Sequence, residues 1–203
     1  MTMIGATENN TTTKLTGRMK MNTAVGKNLE DRHIVAGFHF PLVSEYDGTA
    51  TFLLWNLSGQ IVGFQQYRPF VYEKNTNNPR DARYFTITKP GTVVVWGCEY
   101  LHLSPNVVFV TEGIFDAARF HKYGYSAIAT LGSSLSNDTV RWLHSLSRTI
   151  VTILDNDDAG KKLAKVGHLS FTTITDPSDA TEEEIQKIIK SYEAATDQIN
   201  HLR

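Results

Sequence analysis

The second half of the chain alternates between short apolar runs and amphipathic stretches. The apolar, β-branched runs are typical of buried strands, and the stretches between them have helical periodicity. The predicted strands are NVVFVTEG, SAIATLG, RTIVTILD and HLSFTTITD, and the predicted helices are FDAARFHKYG, SNDTVRWLHSL and one that begins near DAGKKLAKVG. Ser136 or Asn137 is the expected N-cap of the second helix. Strands that alternate with helices predict an α/β fold, with a parallel sheet between helices.

The first half is predicted to be mostly β. Strand character is found in HIVAGFHFPLV, TATFLLWNL, QIVGFQQYRPF, YFTIT and TVVVWG, with a hairpin turn at SG between the second and third. Residues 1–28 lack periodicity and predict a flexible tail with no assigned structure. The stretch that follows residue 180 predicts an amphipathic helix with Glu residues in its first turn. The expected segments are therefore a tail (1–28), a small mostly-β subdomain (29–104), an α/β domain (105–180) and a C-terminal helix (181–203).

Composition narrows the class of protein. The chain has 203 residues, 20 basic and 21 acidic, and a net charge of -1, so a polyanionic partner must be met by a local patch. Its one cysteine, Cys98, excludes an internal disulfide framework and a Cys-rich zinc module, and fits a reducing compartment. No apolar run approaches the roughly 20 residues that cross a bilayer. These features predict a soluble, cytoplasmic protein with no membrane partner.

Three of the predicted strands are followed by acids. Glu112, Asp155 and Asp176 end their apolar runs, and the carboxyl ends of parallel strands share the edge where ligands bind. Asp116 lies one helical turn after Glu112, and Asp157 follows Asp155 by two residues. One such acid is more often a cap or turn residue, but three converging strand ends favour a site. Crowded carboxylates repel unless a cation neutralises them, and Mg²⁺ is the expected cation.

Two other acid-rich motifs match the sequence around Asp155 less well. A calcium-binding loop that begins at Asp155 would have Ala159 at its fifth position and Val166 in place of the bidentate Glu. An aspartyl-phosphate phosphatase motif would continue with Gly-Thr, where this chain has Asp-Ala. Asp158 is predicted to cap the following helix and is not assigned to the site.

The stretch from VVFVTEG through ATLG to ILDNDDAGKKLA resembles the TOPRIM module of bacterial and phage DNA primases. The similarity covers residues 106 to about 180 and rests on Glu-Gly, an Asp in the next helix, ATLG and Asp-x-Asp with Ala-Gly. Before it, NLSGQIVGFQQYRPF, ARYFTI and VVVWG resemble the order of strands in the primase catalytic core. The resemblance implies a TOPRIM parallel sheet flanked by helices, preceded by a primase-type α+β subdomain.

The resemblance also implies roles for the acids. Glu112 would organise the metal or act as a general base, and Asp155 with Asp157 would be the main ligands of Mg²⁺, for which Mn²⁺ can substitute. Asp116 and Asp176 would support the site as further ligands. In TDPSD, a serine stands where the primase pattern has the acid that follows Asp176.

Four basic residues are the candidates for binding nucleic acid or nucleotides. Arg68 and Arg83 align with positions that contact template or nucleotide phosphates in primases, and Lys161 with Lys162 would hold a triphosphate. For each of them a solvated surface position is about as plausible.

The leading hypothesis is a minimal primase core that makes short RNA primers from nucleoside triphosphates on a single-stranded DNA template by two-metal nucleotidyl transfer. The chain has neither a Cys-rich zinc ribbon nor a GxxxxGK phosphate loop, so a separate helicase or zinc-bearing subunit is an expected partner. The setting would be phage DNA replication in a bacterial cell or infected host. Two alternatives stay open: a TOPRIM nuclease that uses water as nucleophile, and a non-catalytic replisome adaptor that binds DNA or a helicase.

Overall fold

The structure is a computed structural model that describes residues 23–132, 135–154 and 162–201. Helices α1 (Ala24–Asp31) and α2 (Ala36–His39) precede the strands β1 (Leu42–Ser44), β2 (Thr49–Trp55), β3 (Ile61–Tyr67) and β4 (Tyr84–Thr88). They are followed by β5 (Val107–Thr111), α3 (Ile114–His121), β6 (Ala127–Ala129), α4 (Asn137–Ser145), β7 (Thr149–Leu154), β8 (Leu169–Thr172) and α5 (Glu182–His201). Two 3-10 turns span Pro79–Asp81 and Cys98–Tyr100.

The strands form two sheets of opposite character. In the first, β1, β2, β3 and β4 are antiparallel neighbours in chain order, with Leu53 opposite Phe64 and Gln65 opposite Thr86. In the second, all strands are parallel in the order β6-β5-β7-β8, which places β5 in the interior of the sheet. The predicted α/β architecture, with a mostly antiparallel part before a parallel sheet and a helix after it, is confirmed.

Both faces of β5 are buried, because two apolar clusters lie on opposite sides of it. Val107 and Phe109 belong to the larger cluster, and Val108 and Val110 to the smaller one. The larger cluster continues beyond the parallel sheet and includes side chains from the antiparallel sheet and from the first and last helices, namely Val25, Leu29, Phe52, Ile185 and Ile188. The two sheets therefore share one core, and α5 covers part of it.

Two helices in the second half begin at side-chain caps, of which the Ser136 cap was predicted, and the start of the helix predicted near DAGKKLAKVG lies outside the described residues. Ser136 is the N-cap of α4, where its Oγ accepts a hydrogen bond from the backbone N–H of Thr139 at 3.1 Å. Thr181 precedes α5, and its Oγ1 accepts from the backbone N–H of Glu184 at 3.2 Å. Among the described helices, none combines the length and the apolar character that crossing a membrane requires.

Three predictions for the first half are wrong. Helix α1 begins within the segment predicted as a flexible tail (1–28) and continues beyond it: Thr23 caps the helix, and Val25 and Leu29 are buried. HIVAGFHFPLV contains α2 and only a three-residue strand, and TVVVWG forms an isolated bridge between Trp96 and Ala129 instead of a strand. In each case long-range packing decides the conformation, since burying an apolar side chain outweighs weak local preference.

The bridge at Trp96 joins the first half of the chain to the parallel sheet. The backbones of Trp96 and Ala129 exchange two hydrogen bonds of 2.9 Å. The next residue, Gly97, has φ of 99°, and a Cβ there would lie 2.6 Å from the carbonyl oxygen of Ala127. Only glycine permits both the conformation and this approach.

The substitution Gly97→Ala is expected to lower the free energy of unfolding by about 3 kcal/mol, because it adds a steric clash to backbone strain. Gly91→Ala is the matched control: Gly91 has φ of 72° with nothing within 4 Å of the added Cβ, and about 1 kcal/mol is expected. Urea unfolding of both variants measures the difference. Equal losses would contradict the close approach at Gly97.

Candidate active site

The carboxyl end of β5 opens into a cavity of about 260 Å³ beside the antiparallel sheet. Three of its lining residues are acids predicted from the sequence: Glu112, Asp116 and Asp176. Two others, Arg32 and Lys74, are cations that were not predicted. The structure thus brings negative and positive side chains together at the sheet edge where the sequence places its acids.

Glu112 is the first residue after β5 and is half-buried. Its backbone carbonyl accepts a hydrogen bond of 2.9 Å from the N–H of Leu131, in the loop after β6. The neighbouring Thr111 carbonyl accepts from the N–H of Thr130, also at 2.9 Å. These two bonds hold the end of β5 against the loop after β6, so the backbone that carries Glu112 is fixed.

Asp116 lies in the first turn of α3 and is only 7% exposed. Its Oδ2 accepts a hydrogen bond of 2.8 Å from the backbone N–H of Gly113, which caps the start of the helix. A Cβ on Gly113 would lie 2.7 Å from that oxygen, so the glycine of the Glu-Gly pair makes the cap possible. Asp116 therefore has a structural role in α3 in addition to its position in the cavity.

Asp176 reaches the cavity from a turn, and not from the end of a strand as predicted. Strand β8 ends at Thr172, and the Oδ1 of Asp176 accepts hydrogen bonds from the N–H (2.9 Å) and Oγ (2.7 Å) of Ser178. Burial raises the pKa of Asp176, but the bonds from Ser178, a hydrogen bond with Asp116 and the charge of Arg32 together lower it below its usual value. The Asp176 carboxyl is therefore ionised at neutral pH.

Arg32 is the residue of this cavity that sequence reasoning missed most clearly. It follows α1, its Nη2 donates a hydrogen bond of 3.0 Å to the Oγ of Ser178, and its guanidinium lies 4.0 Å from the ring centroid of Phe115. Because Arg32 precedes the acids by many residues and borders the predicted tail, no local pattern connects it with them. Ser178, at the expected position of an acid, instead joins Arg32 to Asp176.

A second arginine holds the turn that carries Asp176. Arg119 of α3 is 3% exposed, and its guanidinium contacts the Nε2 of His33 at 2.6 Å, the carbonyl of Ser178 at 3.4 Å and the Oε1 of Glu182 at 3.6 Å. Burial, followed by the charge of Arg119, lowers the pKa of His33, which fits a neutral ring that accepts from the guanidinium. These contacts connect α1, α3, α5 and the Asp176 turn.

The remaining predicted residues lie elsewhere or outside the described chain. Asp155, Asp157 and Lys161 fall outside the described residues, and Lys162 is exposed. Within the described ranges, no group of three His, Cys, Asp or Glu side chains is arranged to hold a metal ion.

Arg68 and Arg83 lie at the base of the β3–β4 connection and are half-buried. The guanidinium of Arg68 donates to the carbonyl of Ala82 at 3.2 Å and to the Oε1 of Gln66 at 2.6 Å. Arg83 donates to the Oη of Tyr67 at 3.5 Å. Neither arginine is among the described residues that line the cavity.

Known proteins are similar to this chain in both sequence and fold. Residues 109–194 match the family described as Toprim-like, so the match extends into α5. Over 121 residues, the chain is 34% identical to the DNA primase of Thermotoga maritima, an alignment that covers 58% of this chain and 21% of that relative. The chain spans about a fifth of the length of the curated relatives it matches.

Solved primase structures resemble this fold over most of the chain. The E. coli primase catalytic core has a TM-score of 0.54 at 18% identity, over 81% of this chain and 59% of that chain. The DnaG primase catalytic domain bound to ssDNA also has a TM-score of 0.54 at 18% identity, over 87% of this chain and 60% of that chain. Residues 109–194 therefore match the Toprim-like family, and the fold of the chain is similar to that of DNA primase catalytic cores.

Proposed function

We propose that the chain is a primase core that joins nucleotides into short RNA primers on a single-stranded DNA template. The observation that carries this proposal is the convergence of Glu112, Asp116 and Asp176 with Arg32 and Lys74 around one cavity. Acids of this kind suit a divalent cation, and cations beside them suit the phosphates of a nucleotide. The name of the Thermotoga maritima relative, DNA primase, supports the same reaction.

Carboxylate oxygens, which these acids supply, are the donors that a hard divalent cation prefers. Asp116 and Asp176 are close enough to share a hydrogen bond, and two neighbouring carboxylates favour either a bound cation or a shared proton. We propose that Glu112, Asp155 and Asp157 hold Mg²⁺, with Mn²⁺ as a substitute, and that Asp116 and Asp176 support them. Bound there, Mg²⁺ would neutralise phosphate charge and increase the acidity of a bound hydroxyl.

The residues of the chain have distinct tasks in this reaction. Arg32 and Lys74 bind phosphate oxygens of the incoming triphosphate, and Arg32 is oriented for this by Phe115 and Ser178. Glu112 accepts the proton of the primer 3′ hydroxyl as that oxygen attacks the α-phosphorus. A new P–O bond forms, the bond to the bridging oxygen breaks, and pyrophosphate leaves.

A primer-synthesis assay tests the proposal. With single-stranded DNA, labelled nucleoside triphosphates and Mg²⁺, the wild type is expected to make short oligonucleotides, and a chelator is expected to stop synthesis. Asp155→Asn should lower the rate at least about 100-fold, because the amide loses the charge that a cation needs. Asp197→Asn, at an exposed position of α5, is the matched control and should retain the wild-type rate.

Other outcomes would point to different functions. Cleavage of nucleic acid without added nucleotides would indicate a nuclease that uses the same acids. Calorimetry without a signal for Mg²⁺, together with no product, would indicate an adaptor without turnover. We also propose a separate helicase or zinc-bearing subunit as partner, so the assay is repeated with such a subunit. No product under either condition would contradict the primase proposal.

A further inference from the structure

We propose that residues 68–83, the connection between β3 and β4, form an arm that leads single-stranded DNA to the cavity by stacking its bases on Phe70 and Tyr72. The inference deepens the proposed function and rests on it, since it names the surface that the template occupies. Four observations carry it: exposed rings, a rigid backbone, local positive charge and continuity with the cavity.

The rings of the arm are exposed, whereas many of the large aromatic side chains elsewhere in the chain are buried in the core. Phe70 is 58% and Tyr72 is 84% exposed, whereas Phe52 and Phe109 are buried. Tyr46, in the turn between β1 and β2, is almost fully exposed and lies at the same end of the antiparallel sheet. Exposed aromatic rings suit single-stranded nucleic acid, because every unpaired base offers a flat face for stacking.

The backbone presents Phe70 on a fixed turn. The N–H of Val71 donates to the carbonyl of Arg68 at 3.2 Å, which closes a four-residue turn with Pro69 and Phe70 at its corners. The base of the arm is closed by a 2.9 Å hydrogen bond from the N–H of Arg68 to the carbonyl of Arg83. A ring held on a rigid turn loses little conformational freedom when a base stacks on it, which favours binding.

The arm is positively charged in a chain that is not. Within residues 68–83, four cations stand against two acids, a net charge of +2, whereas the whole chain has a net charge of -1. The cations are Arg68, Lys74, Arg80 and Arg83, and the acids are Glu73 and Asp81. Basic residues interleaved with aromatic ones supply both the phosphate contacts and the stacking surfaces that single strands need.

The arm also leads to the candidate active site. Lys74, within the arm, and Tyr84, directly after it, line the cavity that contains Glu112 and Asp176. Lys74 is four residues after Phe70, so the arm that carries the exposed rings also contributes a side chain to the cavity. Single-stranded DNA fits the arm better than duplex DNA does, because the bases of a duplex are stacked and paired and offer no free faces.

Binding of a labelled oligodeoxythymidine, measured by fluorescence anisotropy on the full chain, tests the arm without requiring catalysis. Phe70→Ala and Tyr72→Ala are each expected to raise Kd about tenfold, the loss typical of one stacked base. Tyr72→Phe keeps the ring and should keep the affinity. Phe40→Ala is the matched control, because Phe40 is 71% exposed but lies before β1 and outside the arm. The Kd of this variant for the oligodeoxythymidine should equal that of the wild type.

The salt dependence separates stacking from charge. The alanine variants of Phe70 and Tyr72 should keep the wild-type slope of log Kd against log salt concentration, since they remove no cation. Arg80→Ala should reduce that slope by about 0.7 if Arg80 contacts a phosphate of the single strand. Affinity for duplex DNA should be the same in the wild type and in the two aromatic variants.

The arm proposal is overturned if Phe70→Ala and Tyr72→Ala bind within about twofold of the wild type, if duplex binding falls equally, or if the wild type binds no single strand at low salt. Circular dichroism confirms that each variant is folded. The primer-synthesis assay tests the proposed function separately. If the arm binds single-stranded DNA but the chain makes no primers, the proposed function is refuted and the arm proposal is not.

Discussion

Glu112→Gln is expected to reduce primer synthesis at least about 100-fold while the protein remains folded. Glutamine preserves the shape of the side chain but carries no negative charge, so it binds a divalent cation poorly and accepts no proton. The backbone at this position is held by the loop after β6 and does not depend on the carboxylate. Initial rates at saturating nucleotide, with thermal unfolding as a folding check, measure the effect.

Asp176→Asn is the informative comparison for Glu112→Gln. One oxygen of Asp176 already accepts two hydrogen bonds from Ser178, so the residue supports the cavity more than it takes part in the reaction. A loss of about tenfold is expected. Glu183→Gln, at an exposed position of α5, should change nothing. Equal losses for Glu112→Gln and Asp176→Asn would contradict the distinct role assigned to Glu112.

The free energy of unfolding is expected to fall as the pH decreases from about 6.5 to 4, because two buried histidines are held neutral. His39 and His121 lie in contact, with His39 Nε2 3.1 Å from His121 Nδ1. The N–H of Val35 donates to His39 Nδ1 at 2.9 Å, and His121 Nε2 donates to the carbonyl of Ala127 at 3.0 Å. Every ring nitrogen has a partner when both rings are neutral, and a further proton would break the arrangement.

The sign of the effect follows from the lowered pKa values. Burial lowers the pKa of His121 to about 4 and that of His39 well below its usual value, whereas unfolded histidines titrate near 6.5. Below pH 6.5 the unfolded state binds more protons, so stability that is fully present above 6.5 is lost as the pH falls towards 4. For His121 alone the loss is about 3 kcal/mol, of which about 2 kcal/mol is lost by pH 5.

Urea unfolding at pH 7 and pH 5 measures this dependence in the wild type and in His121→Gln. The amide of Gln still donates to Ala127 but does not titrate, so the variant should lose less stability on acidification. Glu99 acts in the opposite direction, since burial raises its pKa to about 7, but it is present in both proteins and cancels in the difference.

The part of the fold that the sequence predicts is the part with strong periodicity. The apolar run from Val107 to Thr111 is buried on both faces. A continuous apolar run of this length predicts a buried strand, so this strand and its parallel neighbours could be predicted from the sequence. Glu112 was found for the same reason, because an acid directly after such a run lies at the sheet edge. Local signals such as the Ser136 cap were also sufficient.

The features that escaped prediction depend on contacts between distant segments. Helix α1 has only two large apolar side chains that are buried, Val25 and Leu29, and most of its other residues are polar. The helix is therefore stabilised by packing in the shared core and not by its local sequence. Arg32 enters the cavity because that helix packs there. Asp176 was expected at a strand end, but Ser178 closes a turn around it, which no periodicity reveals.

The shared core has a consequence for how such a protein can be recombined. Phe115 of α3 contacts the rings of Phe52 and Tyr67, which belong to the antiparallel sheet, and all three lie in the cluster that also contains Leu29. A transplant of the parallel sheet alone into a foreign protein would expose Phe115 to water. The smallest portable module is therefore the stretch from α1 through α5, and chimeras joined near residue 105 would aggregate.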